Sequence, residues 1–143
     1  ALEPESTATV AEALVRDAKI PLVLAVSDKT VRAWTAEGSF ELPEQAARIL
    51  GKDHPYLPEV AEDLVRLCRH PEAGTFVISG WRARKPGTFP LEFGAHAGPG
   101  PEETSGFAYL PAAAMTQPED RAYVRNEDLR KAAQRLLARA PSE

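Results

Sequence analysis

The sequence predicts an α/β or α+β fold: a mixed sheet of about five strands that includes an antiparallel meander, flanked by helices. Three observations predict it. Residues 21–42 contain three short strand-like runs separated by tight turns. Pro58–Arg69 is an amphipathic helix pattern, followed after Pro71 and Gly74 by the apolar run Thr75–Ser79. Both ends of the chain carry apolar residues at helical spacing, Val10, Leu14 and Val15 near the start and Leu129, Ala133, Leu136 and Leu137 near the end.

Taken in order, Ala1–Glu5 reads as a frayed lead, and Ser6 or Thr7 is a candidate cap for the first helix. Pro21 bars that helix from continuing. The run Pro21–Ser27 is short, continuous and rich in Val and Leu, which favours a buried strand. Asp28-Lys29 forms a two-residue turn into Thr30–Thr35, whose Val31, Ala33 and Thr35 share one face. Trp34 falls on the other face and is read as a packing residue. Ala36–Gly38 is the next turn, and Ser39–Leu42 the third strand. Pro43–Leu50 reads as a short helix ended by Gly51. In Pro58–Arg69 the acids Glu59, Glu62 and Asp63 precede Arg66 and Arg69, the order that the helix dipole favours. Thr75–Ser79 reads as a second buried strand, Phe107–Leu110 as a further strand-like run, and Ala112–Arg125 as irregular. Asn126 is the expected cap of a final helix from Glu127 to about Arg139.

Composition narrows the function classes. With 143 residues the chain can bury a real core. Its net charge of −4 argues against a broad nucleic-acid footprint. Apolar runs fall short of the roughly 20 residues that span a bilayer, and no signal-peptide pattern is present, so a soluble, cytoplasmic protein is expected. The start at Ala1 suggests a processed product or a piece of a longer chain. A single cysteine, Cys68, excludes an intramolecular disulfide and a multi-cysteine zinc site, and its helical setting reads as a small buried residue. Residues 1–143 are therefore either one domain or the C-terminal segment of a larger catalytic domain.

The stretch from Phe89 to Pro111 is the hardest to explain by packing, and residues 82–106 are the candidate functional loop. Gly94, Gly98 and Gly100 permit close backbone approach, Pro99 and Pro101 stiffen the path, and His96 sits at the centre. A histidine so placed can offer a ring nitrogen to a metal or a phosphate. Arg82, Arg84 and Lys85 precede it and read either as a solvated basic loop or as cations that steer an anionic substrate. The segment has neither a P-loop ending nor the GxGxxG spacing. His54 and His70 each stand beside a proline and read as structural. Ser79 lacks a G-x-S-x-G frame, so no catalytic triad can be assembled.

Gly94-Ala95-His96-Ala97-Gly98, then Pro99-Gly100-Pro101-Glu102-Glu103-Thr104, then Phe107–Pro111, resembles the C-terminal part of the alkaline phosphatase superfamily, specifically its type I phosphodiesterase/nucleotide pyrophosphatase-like members. Those proteins end their catalytic core with a strand, a Gly-x-His-Gly motif, Gly/Pro and acidic residues, and a short apolar strand. The meander after Pro21, the strand Thr75–Ser79 and the late helix are also similar, from about Pro21 onward. Ala97 stands where the family has glycine, and nothing here matches the family's nucleophile or its earlier aspartate and histidine ligands. The resemblance implies the C-terminal segment of an alkaline-phosphatase-like core. His96 would supply one ligand to a divalent metal, expected to be zinc, and the remaining ligands would come from the rest of the catalytic domain. The substrate would be a phosphate ester or nucleotide-like small molecule, with the isolated chain inactive. The alternative expectation is a non-catalytic binding domain that uses the Gly/Pro-rich loop as a recognition surface.

Overall fold

The computed structural model describes residues 3–81, 98–114, 118 and 120–139. The chain divides into two compact units, Ala1–Gly106 and Phe107–Glu143. The first unit is an α+β sandwich. Helix α1 (Pro4–Arg16) leads into three antiparallel strands, β1 (Leu22–Ser27), β2 (Thr30–Thr35) and β3 (Gly38–Leu42). Two helices follow, α2 (Ala46–Leu50) and α3 (Leu57–Cys68), then strand β4 (Val77–Ser79). After residues 82–97, which lie outside the described set, comes the single turn α4 (Pro101–Thr104).

The sheet is four-stranded in the order β3-β2-β1-β4, with every pairing antiparallel. The expected mixed sheet of about five strands is thus a smaller, purely antiparallel one among the described residues. The expected strand Phe107–Leu110 is not one of its members. That stretch has strand-like alternation, but Phe107 and Tyr109 stand 89% and 93% exposed, so no buried face fixes it in a ladder.

The meander forms as the turn chemistry dictates. Asp28 and Lys29 both take positive φ, 49° and 68°, as a two-residue hairpin turn with strand-matching twist requires. The carbonyl of Lys29 is further held by Arg69 Nη2 at 3.0 Å, which ties this turn to the end of α3.

Both faces of the sheet are covered, so its central strand reads as a continuous apolar run. On one face Leu22 and Leu24 of β1 pack with Val31, Ala33, Phe40 and Leu42 against α2 and α3. On the other, Val23 and Ala25 pack with Trp34 against Ala11 and its neighbours on α1. The register explains the division: Leu24 lies opposite Ala33, and Ala33 opposite Phe40, while Val23 lies opposite Trp34. Trp34 is thus the packing residue that its position implies.

Several boundaries differ from the sequence expectation. Helix α1 begins at Pro4 with Glu3 as its cap residue, ahead of Ser6 and Thr7. Pro at the start has no N–H to leave unpaired, and the buried Thr7 hydroxyl donates back to the Glu3 carbonyl at 3.0 Å instead of capping. Helix α2 starts at Ala46 because Pro43–Gln45 form a turn, and Gly51 ends it with φ of 90°. Strand β4 is shorter than Thr75–Ser79 and sits at the sheet edge. Ile78 is 45% exposed, so β4 is a half-covered edge rather than a buried strand.

The second unit contains a 3-10 turn at Ala112–Ala114 and helix α5 (Asn126–Arg139). Asn126 is the first helical residue rather than the cap. The Arg125 N–H is held instead by the Asp128 carboxylate at 2.8 Å, the reach-back half of a capping box. No helix among the described residues is long and apolar enough to cross a membrane.

Candidate functional site

The candidate site is best built from the two ends of the loop that the sequence singles out. The near end is Trp81. Its indole is buried in the cluster shared with α2 and α3, and its backbone N–H donates to the Ser79 hydroxyl at 3.2 Å. The Ser79 oxygen is thereby used to shape the turn out of β4. The far end is Gly98–Thr104. Pro99 and Gly100 are buried, and the Gly100 carbonyl accepts from the Glu103 and Thr104 amides at 3.1 and 3.0 Å, closing α4.

These two ends touch. A Cβ at Gly100 would lie 2.4 Å from Trp81 Nε1, so only glycine allows the backbone this close to the indole. A Cβ at Gly98 would lie 1.6 Å from Glu103 Oε2, so that glycine leaves room for a carboxylate folded back over it. Glu103 Oε2 is buried and has no hydrogen-bond partner among the described residues. Gly98 and Gly100 thus bring the backbone close to side chains of the protein itself, whereas the approach expected of them was to a ligand.

A third contact comes from His54, in the connection between α2 and α3. It is 7% exposed, and both ring nitrogens are engaged. The Tyr56 N–H donates to Nδ1 at 3.1 Å, and Nε2 faces the Pro99 carbonyl at 2.9 Å. Sequence reasoning read His54 as a structural turn residue and missed this link. Its partner lies 45 residues away, and only chain closure brings the two together. His70 is exposed, and its Nδ1 accepts from the Glu72 N–H at 3.2 Å, a local turn bond.

His96, Gly94, Arg82, Arg84 and Lys85 lie outside the described residues. Among the described residues, no three His, Cys, Asp or Glu side chains come together in a way that could hold a metal ion. Cys68 is buried, and burial pushes its thiol up to about 11, so at neutral pH it stays protonated and packs as a small apolar group. An open cleft of about 1130 Å³ lies at one end of the sheet, between α1 and α2, with Trp81 in its wall. Arg16, Lys19 and Arg48 line it alongside Glu12 and Glu37, a nearly balanced set of charges. Arg16 is paired with Asp17 at 2.8 Å, and the Arg48 guanidinium sits 5.4 Å from the centre of the Phe40 ring.

No protein-family model, curated protein or solved structure matches the chain.

Proposed function

We propose that the chain is the C-terminal portion of a metal-dependent phosphohydrolase of the phosphodiesterase/nucleotide pyrophosphatase kind. Its sheet and helices then belong to a larger alkaline-phosphatase-like core in a soluble, cytoplasmic enzyme. The observation that carries this reading is the run Gly94-Ala95-His96-Ala97-Gly98-Pro99-Gly100-Pro101-Glu102-Glu103, with its histidine between glycines. The buried end of that run, Pro99 and Gly100, supports it, because a ligand residue needs a backbone held in place.

In this reading His96 offers a neutral ring nitrogen as one ligand of a divalent metal, expected to be zinc. Arg82, Arg84 and Lys85 draw in the anionic phosphate ester or nucleotide-like substrate. A bound metal supplies Lewis-acid polarisation of phosphoryl oxygens. The described residues do not by themselves fit a metal pair. His54 is the buried histidine among them, and both its nitrogens are already engaged. The nucleophile and the other ligands then come from the rest of the catalytic domain, and the isolated chain is inactive. Replacing His96→Ala in the complete enzyme should abolish metal-dependent hydrolysis of an aryl phosphate or phosphodiester. Retained activity would overturn the reading.

A second reading, a non-catalytic binding domain, is favoured by one observation. Phe107 and Tyr109, directly after the Gly/Pro-rich loop, expose nearly all of their surface. This reading expects a chain whose melting temperature ignores divalent metals.

A further inference from the structure

We infer that His54, as its neutral Nε2–H tautomer, is a positioning residue that clamps the far end of the histidine loop through the Pro99 carbonyl. The catalytic consequence rests on the phosphohydrolase reading, whereas the clamp itself does not.

The proton positions follow from the two partners. The Tyr56 N–H can only donate, so the facing Nδ1 is bare. The Pro99 carbonyl can only accept, so Nε2 carries the proton. The other neutral tautomer would set two donors against each other at Nδ1 and two acceptors at Nε2, in a buried place where neither pair can turn to water. Pro99 follows shortly after His96, and its neighbour Gly100 rests on the Trp81 indole. Pro99 and Gly100 thus make two contacts to distant parts of the first unit, one to His54 and one to Trp81. Packing alone would accept any ring or aliphatic side chain at position 54. The bond to Pro99 requires a side-chain N–H at the place of Nε2, which the amide of a glutamine can supply.

The experiment has three arms. In the parent chain, the ring ¹⁵N shifts of His54 should show a pyrrole-like Nε2 and a pyridine-like Nδ1. The opposite tautomer would overturn the inference whether or not any variant folds. In the second arm, hydrogen exchange is followed at the Glu103 and Thr104 amides, which donate to the Gly100 carbonyl. His54→Ala should speed their exchange about tenfold, as expected for one lost buried hydrogen bond, while the amides of β2 keep their rates. His54→Gln should bring the rates back close to the parent's. Unchanged exchange in His54→Ala, equal acceleration throughout the sheet, or a folded Gln variant as fast as the Ala variant would each sink the proposal. In the third arm the same pair is placed in the complete enzyme, where Ala should lower hydrolysis and Gln should restore it. An enzyme that depends on His96 but is indifferent to His54→Ala overturns the positioning role. Should His96→Ala leave activity intact, the phosphohydrolase reading falls, and the first two arms still decide the clamp.

Discussion

The two units of the chain are held by different forces. In Ala1–Gly106 the sheet is sealed on both faces by Leu, Val, Ile, Phe and Trp side chains. Burying one such side chain contributes about 1.5–3 kcal/mol. In Phe107–Glu143 the buried apolar side chains among the described residues are Ala114 and Ala132, whose methyl groups bury little area. That unit leans on charge and capping instead. Arg121 pairs with both Asp120 and Asp128 and lies 5.8 Å from the centre of the Tyr123 ring. Asp128 also holds the Arg125 N–H. Where a chain can close a sheet between helix layers, apolar burial outweighs local detail. Where it cannot, a 14-residue helix depends on its first turn.

The largest expected effect tests the first half of this contrast. Leu24 sits in the central strand, 1% exposed, between Ala33 and Val77 of the flanking strands. Leu24→Ala leaves a cavity in a core closed on all sides and should cost about 2–5 kcal/mol of unfolding free energy, read by urea denaturation. A loss below about 1 kcal/mol would mean that the first unit is not core-dominated, and the contrast would fail.

Next comes Gly100→Ala. The new methyl group would be driven into the buried indole of Trp81, and overpacking of this kind costs about 1–3 kcal/mol. Gly106→Ala is the internal control. Nothing lies within 4 Å of a Cβ there, so its unfolding free energy should stay within about 0.5 kcal/mol of the parent. Equal effects at the two positions would show that Gly100 is a turn glycine and not a packing one.

The sequence made the local features plain and hid the distant ones. The meander was legible because strand alternation and a two-residue turn are encoded within a few residues of each other, as at Val31, Ala33 and Asp28-Lys29. Helix α3 was legible because its stripe, its leading proline and its charge order agree. The edge position of β4 was not, since an apolar run reads alike in the centre of a sheet and at its rim. Nor was Phe107–Leu110, whose residues favour a strand but whose partner edge no local signal can supply. His54 was the largest miss at the candidate site. A histidine before a proline looks like a turn, and the Pro99 carbonyl enters only when the chain has closed. The contact of Gly100 with Trp81 was hidden as well, since a glycine between prolines carries no local sign of the side chain it will meet.

The acid response of α5 tests the second half of the contrast. The Asp128 carboxyl is held below its ordinary value of 3.8, first by the Arg125 backbone N–H and then by Arg121. A lowered carboxyl contributes stability that is complete above the unfolded-state value and lost as pH falls through the folded-state value. Circular dichroism should therefore show helix loss from the second unit as pH falls below about 4, with β2 amides still protected at the onset. Asp128→Asn keeps an acceptor for the Arg125 N–H and should retain more helix at neutral pH than Asp128→Ala, while removing this acid transition. An unchanged transition in the Asn variant would assign it to other carboxylates.

The smallest expected effect is the sharpest statement of the difference. Phe107 and Tyr109 are two of the aromatic side chains described in the second unit, and they meet edge to face with centroids 5.7 Å apart. Both stand almost wholly in solvent, so their contact with each other removes little area from water. In the first unit, aromatic rings of this size anchor the core, as Phe40, Trp34 and Trp81 do. Replacing Phe107 and Tyr109 together by serine should change the unfolding free energy by no more than about 0.5 kcal/mol, measured by thermal and urea unfolding. A loss above about 1 kcal/mol would mean that the pair is buried in solution. Apolar burial would then hold both units, and the dependence on Asp128 would be an addition to it and not a substitute.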